Sequence, residues 1–286
     1  MIPTIEHRQQ IMAGYVCTIA GGKGGVGKTT TAVNVGAGLQ ELGYDVAVVD
    51  ADLGMANLGS MLAVEPDRSV HEILAGDAAV SEALTDAPGG LTVIAGEQSL
   101  DAFADADPAK LRKVIKTLRA AYDAVIIDTG AGLSHEVAVP LGLADGIVLV
   151  TTPDEVAVGD TVKTAQLAER IDGNVVGGLI TRVTRHTDVA DINERFDFPL
   201  LAVIPDDPQA TTEEPLVRYE PDSPAADAYL RLTDALEGVF FEGDTADVDL
   251  DTIVDDAWFI DEEEAATVEG DEADEESSGG VFGLFN

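Results

Sequence analysis

Residues 22–29 read Gly22-Lys23-Gly24-Gly25-Val26-Gly27-Lys28-Thr29, and Thr30 follows. Gly, four residues, Gly, Lys and then Ser or Thr is the spacing of a phosphate-binding loop. The flanks supply the context this loop needs. Tyr15-Val16-Cys17-Thr18-Ile19-Ala20 is a short apolar, β-prone run that predicts a buried strand. From Thr29 the spacing becomes helical, with Val33, Val35, Leu39 and Leu42 apolar and Gly43 as the stop. The glycines let backbone N–H groups turn towards phosphate oxygens, and the helix N-terminus adds its dipole. In such a loop Lys28 reaches the β- and γ-phosphates, and the Thr29 hydroxyl holds Mg²⁺.

Two carboxylate motifs follow at predicted strand ends. Asp50-Ala51-Asp52 closes the apolar run 46–50, and Ile126-Ile127-Asp128 closes the run 124–128. Ligands of open α/β sheets sit beyond the carboxyl ends of the strands, so these acids should face the phosphates. Asp128 fits the Walker B position, which binds Mg²⁺ through water. Further strands are predicted at 91–94, 147–151, 175–181 and 200–204, with helical spacing at 110–119 and 158–170. Continuous apolar strands alternating with helices predict an α/β P-loop NTPase, a three-layer sandwich: a mostly parallel twisted sheet with helices on both faces.

Lys23 stands directly after the first glycine, where cradling phosphate does not require a lysine. Residues 23–30, Lys-Gly-Gly-Val-Gly-Lys-Thr-Thr, resemble at every position the loop of the MinD/ParA family of deviant Walker A ATPases. The resemblance covers roughly residues 15 to 240. It implies that Lys23 is the signature lysine, which crosses the interface of an ATP-bound dimer to the partner's nucleotide. It also implies that Asp50 supports the Mg²⁺ shell and that Asp52 positions or polarises the attacking water. Adenine contacts fall by chain order on Arg182, Pro205 and Asp207. The residues implied to bind nucleotide are thus Gly22 through Thr30, namely Gly22, Lys23, Gly24, Gly25, Val26, Gly27, Lys28, Thr29 and Thr30, with those three. One departure stands out. After the Walker B acid the family continues with Ser or Thr and then Pro, whereas this chain reads Asp128-Thr129-Gly130-Ala131-Gly132. A glycine for the proline makes this γ-phosphate-sensing loop more mobile.

Composition bounds the setting. The chain has 286 residues, with 54 acidic against 16 basic and a formal net charge of −38. Self-repulsion at that level opposes a compact state in dilute salt, whereas a Debye length of about 3 Å at molar salt removes most of it. The acids are not confined to the tail; they recur at 50–52, 101–107 and 188–197. The composition resembles that of a salt-in halophile's cytoplasmic protein more than that of a mesophilic protein with an acidic tail. The single cysteine, Cys17, falls in the first strand as core packing, and the four histidines (His7, His71, His135, His186) lack metal-ligand spacing and read as structural or surface residues. Lys110, Arg112, Lys113, Lys116 and Arg119 share one helix, either a dock for an acidic partner or internal charge balance.

The expected domains are a short arm at 1–13, the ATPase domain at 14–241 and an acidic tail at 242–286. After Arg231 there is no Lys or Arg, and the chain ends in an apolar tip of Val281, Phe282, Leu284 and Phe285 around Gly283. That tip would insert weakly at a membrane, dock on a partner protein, or do neither. The resemblance is closer to MinD than to ParA. It implies an ATP-dependent homodimer, ATP/ADP and Mg²⁺ as cofactors, slow hydrolysis, and spatial positioning of division or surface machinery by a cytoplasmic or peripheral membrane protein. The alternatives are a ParA-like partitioner or a non-hydrolysing scaffold. Nonspecific DNA binding needs a basic surface that, apart from 110–119, the chain lacks.

Overall fold

The computed structural model describes residues 13–207 and 213–244, together with Ile253. An eight-stranded sheet runs β3-β4-β2-β5-β1-β6-β7-β8. Its central members are β1 (Tyr15–Ala20), β2 (Val46–Ala51), β5 (Ala124–Thr129) and β6 (Gly146–Thr151). β4 (Thr92–Ile94) extends one side, and β7 (Val175–Val183) and β8 (Leu200–Pro205) extend the other. All of these pair in parallel; only β3 (Thr85–Asp86) runs antiparallel, against β4. The sheet is therefore mostly parallel, as the alternation of apolar runs and helices requires. A two-residue edge strand carries no period of its own, which is why β3 had no signal.

Alternation along each strand sorts the core into two layers. Ala47, Val49, Val125 and Ile127 turn to one face and pack with Leu111, Val114, Ile115 and Leu118 of α5 (Leu111–Leu118), and with Val70, Ile73 and Leu74 of α3 (Val70–Ala75). The spacing of the four α5 residues makes one helical stripe, each burial contributing about 1.5–3 kcal/mol. An aspartate at Ile115 would break that face. Val48 and Ile126 turn the other way, against α1 (Lys28–Glu41), whose Gly36 lets the helix approach their side chains. Gly38, on the outer side of α1, leaves room for Thr233 of α10 (Pro224–Glu237). α1 is thus enclosed between the sheet and α10, and the loop that precedes it has a rigid base.

α7 (Glu155–Arg170) begins three residues earlier than its apolar spacing suggests, because Asp154 accepts the Ala157 amide and caps it. A π-helical turn (Gly238–Glu242) follows α10, and Phe240 and Phe241 there stack on Tyr15 and Tyr44 at 4.3 and 4.0 Å. The basic helix splits its charges. Lys110 donates to the Ala75 carbonyl and Arg119 pairs with Asp145 at 3.0 Å. Arg112, Lys113 and Lys116 face solvent with no ion pair among the described residues. The chain divides into units Met1–Val254 and Asp255–Asn286. The second unit, with the apolar tip at Val281, Phe282, Leu284 and Phe285, lies outside the described residues, as do residues 1–12. No helix among the described residues is long and apolar enough to cross a membrane.

Candidate nucleotide site

β1 lies at the centre of the sheet, between β5 and β6, and the loop at residues 21–27 leaves its carboxyl end. That is the topological switch point, where open α/β sheets place their ligands. Gly25 and Gly27 have φ of 77° and 96°, a left-handed backbone that glycine adopts without strain. Gly22 has a different reason to be glycine. A Cβ there would stand 2.4 Å from the Asp160 backbone of α7, so the loop is pressed directly on that helix. Gly27 heads α1 with no side-chain cap, and the first turn holds no acid. The opening N–H groups of α1, with its dipole, are thus presented to an anion.

Lys28 is only 7% exposed, and its Nζ donates to the Lys23 carbonyl at 3.2 Å. Burial pulls its pKa down, opposed by Asp128 and then Asp52. A cation held in this desolvated position gains much from a phosphate partner. Lys23 points away from the loop. Its Nζ meets Asp154 Oδ1 at 2.8 Å. Thr29 Oγ1 donates to Asn57 Oδ1 at 3.0 Å. Val26 is buried, and its carbonyl lies 2.8 Å from Thr181 Oγ1.

Adjacent strands set the acids side by side, with Asp50 of β2 in register with Asp128 of β5. Asp50 is fully buried and accepts three backbone amides, from Asp52 at 3.1 Å and from Asn57 and Leu58 at 3.2 Å. It therefore folds the 52–57 loop back onto the strand end. Both oxygens of Asp128 are buried without a hydrogen-bond partner. Burial, then the Asp50 charge, raises the Asp128 pKa well above the carboxylate range; Thr29 and Lys28 offset this only in part. Burial raises Asp50 as well, against its backbone hydrogen bonds. Orphaned buried carboxylate oxygens beside a threonine hydroxyl are the hard donors that Mg²⁺ takes. Among the described residues no three His, Cys, Asp or Glu side chains form a metal cage.

Asp52 is half-buried and accepts the Met55 amide on Oδ1 at 3.1 Å. Gly130 explains itself here. A Cβ at residue 130 would stand 3.0 Å from Asp52 Oδ1, so the missing side chain makes room for that carboxylate. Gly24, Gly25, Gly27, Lys28, Thr29, Thr30, Asp52 and Arg182 share the wall of one cleft of about 660 Å³. Arg182 is exposed, at a φ of 56°. Pro205 and Asp207 lie at the end of β8 and do not line this cleft. Asn57 and Asp154 were not singled out from the sequence; their signal is position alone, in the segments after β2 and β6, and Thr181 lies within β7 beside Arg182.

Residues 14–173 match the model of an AAA domain family. An uncharacterized ATP-binding protein of Methanocaldococcus jannaschii is 34% identical over 78% of this chain and 88% of its own length. The septum site-determining protein MinD of Synechocystis is 30% identical over 78% of this chain and 89% of its own. Among solved structures, the MinD of Pyrococcus horikoshii complexed with Mg-ADP superposes with a TM-score of 0.75 at 33% identity, covering 79% of this chain and 97% of that one.

Proposed function

The chain belongs to the MinD/ParA family of P-loop ATPases, and on that premise we propose that it is a Mg-ATP-driven switch whose dimer positions division or cell-surface machinery. The observation that carries the reading is Asp128, with both oxygens buried and unpartnered beside Lys28 and Thr29. A site built this way is incomplete without a cation and a phosphate.

Mg²⁺, when bound, would supply charge neutralisation at the phosphates. The residues do the rest. Backbone N–H groups of residues 24–30 and the Lys28 ammonium hold the triphosphate. The Thr29 hydroxyl and Asp128 would hold the ion, and Asp50 fixes the loop beside it. Asp52 orients the attacking water and takes up its proton as phosphate forms. Arg182, Pro205 and Asp207 border adenine. Lys23 reaches the nucleotide of the partner copy once it leaves Asp154. The apolar tip at Val281, Phe282, Leu284 and Phe285 is proposed as a weak membrane contact that two copies in a dimer reinforce. ATP-dependent flotation with anionic liposomes, absent from a truncation ending at Ser278, is the result that would support it.

The primary test is nucleotide binding by calorimetry, with and without Mg²⁺. Lys28→Ala should weaken ATP binding at least about a hundredfold, since a buried charge pair is lost. Equal affinity in the variant would overturn the site.

A further inference from the structure

Two loops border the same side of the cleft: residues 52–57 after β2, and residues 95–99 after β4. His71, from α3, is fully buried between them. Its Nε2 lies 2.9 Å from the Leu53 carbonyl, and the Glu97 amide donates to its Nδ1 at 3.2 Å. A carbonyl only accepts and an amide N–H only donates, so the ring is neutral with its proton on Nε2. Both partners are backbone groups of cleft loops, and neither belongs to the helix that carries the histidine.

A second stitch lies alongside, where Gln98 Nε2 donates to the Ala56 carbonyl at 2.9 Å. The two loops also touch closely. A Cβ at Gly96 would stand 2.5 Å from Ala56 Cβ and 3.2 Å from His71 Cε1, so only glycine lets the imidazole and both loops meet. The 52–57 loop is therefore held from two sides. Asp50 grips its amides at residues 52 and 57 from the strand end, while His71 and Gln98 grip its carbonyls at residues 53 and 56.

We infer that His71, with Gln98, is a positioning residue for Asp52: it fixes the Leu53 carbonyl, and so the direction in which the neighbouring carboxylate addresses the terminal phosphate. The inference rests on the reading of Asp52 as the residue that orients water. The phosphate loop at residues 24–30 follows β1, and it meets the 52–57 loop at Thr29–Asn57, where Asp50 rather than His71 holds the Asn57 amide. Loss of the stitch therefore falls on turnover and spares affinity. A histidine that merely filled the core would show no such division.

The test uses the full chain in a salt concentration at which the wild type is folded, with His71→Leu, His71→Gln and Gln98→Ala. The leucine keeps the volume and removes both hydrogen bonds. The glutamine amide is able to donate to the Leu53 carbonyl and accept from the Glu97 amide. For His71→Leu, kcat should fall at least about tenfold, the scale of one or two lost buried hydrogen bonds, while KM for ATP stays within about threefold. His71→Gln should regain most of kcat, and Gln98→Ala should show a smaller fall of the same kind. Amide exchange at Glu97 should quicken in the leucine variant and return in the glutamine variant. Should His71→Leu fail to fold, His71→Asn, whose shorter amide spans only one partner, takes its place. Unchanged kcat in a folded leucine or asparagine variant overturns the inference and leaves the ATPase reading intact. So does a joint change of kcat and KM that glutamine does not rescue. A wild type that hydrolyses no ATP would overturn the reading of Asp52 instead. The stitch is then judged on nucleotide-free exchange at Glu97, and equal rates in all variants overturn it.

Discussion

Lys23 Nζ lies 2.8 Å from Asp154 Oδ1, and that same oxygen accepts the Ala157 amide at 3.0 Å. One carboxylate oxygen thus anchors the loop lysine and caps α7. The contact keeps Asp154 below the usual carboxylate range, the Lys23 hydrogen bond first and the Ala157 amide second. Both side chains are about half exposed, at 46% and 49%, so the pair is weak enough to exchange for a stronger anion.

On the proposed cross-interface role, Lys23→Ala should bind nucleotide within about threefold of wild type and yet fail to dimerise with ATP. Size-exclusion with light scattering decides this, and an intact dimer would show the cross-interface role to be wrong. Asp154→Ser keeps a capping oxygen while releasing the lysine. Its dimer should form at a lower ATP concentration than wild type requires.

Asp52→Ala should retain the ATP dimer and lose turnover by at least about a hundredfold, the scale of a positioned general base. Gly130→Ala should lower turnover by less, since its new methyl group would stand 3.0 Å from Asp52 Oδ1 and push it aside. Phosphate release measures both. Wild-type turnover in Asp52→Ala would remove Asp52 from the chemistry.

Asp128 predicts how stability varies with pH. Its pKa is raised by burial and by Asp50, so above the unfolded value, about 4, the native state holds more protons than the unfolded chain. Stability then falls as pH rises through the range between the unfolded and raised values, and levels off beyond it. In nucleotide-free protein the melting temperature should decline from mildly acidic to mildly alkaline pH. Mg-ATP should flatten that decline by stabilising the carboxylate. Asp128→Asn should lose the Mg²⁺-dependent gain and the part of the decline above about pH 6, keeping only the part below it that the buried Asp50 contributes. A decline that persists unchanged in Asp128→Asn would place its cause elsewhere.

Salt should stabilise the fold. With a net charge of −38, dialysis from molar KCl into dilute buffer lengthens the reach of carboxylate repulsion severalfold. The melting temperature should drop or the protein unfold. A constant melting temperature across that range would dispose of the halophilic reading.

Much of the architecture was legible because parallel strands buried on both faces write themselves as apolar runs, as at Val46–Ala51 and Ala124–Thr129. The phosphate loop was legible because its geometry tolerates few residues. What escaped notice depends on partners distant in sequence. His71 reads as an isolated histidine until α3 sets it between Leu53 and Glu97. Gly22 belongs to the motif, yet its close neighbour is Asp160. Gly130 departs from the family pattern, and only the fold brings it against Asp52. Asp154 looked like one more acid among 54 acidic residues, with nothing in its neighbours to mark it as a counter-ion for Lys23.

β3 has a consequence beyond the site. An open sheet invites another chain to continue it, and unpaired strand edges are where such proteins stick together. Like charge keeps copies apart only while it is unscreened. Geometry is a safeguard that salt leaves untouched. The edge at β3 offers just Thr85 and Asp86, in reversed direction, before Pro88 interrupts the backbone donors. An incoming strand finds almost no ladder to extend there, whatever the ionic strength.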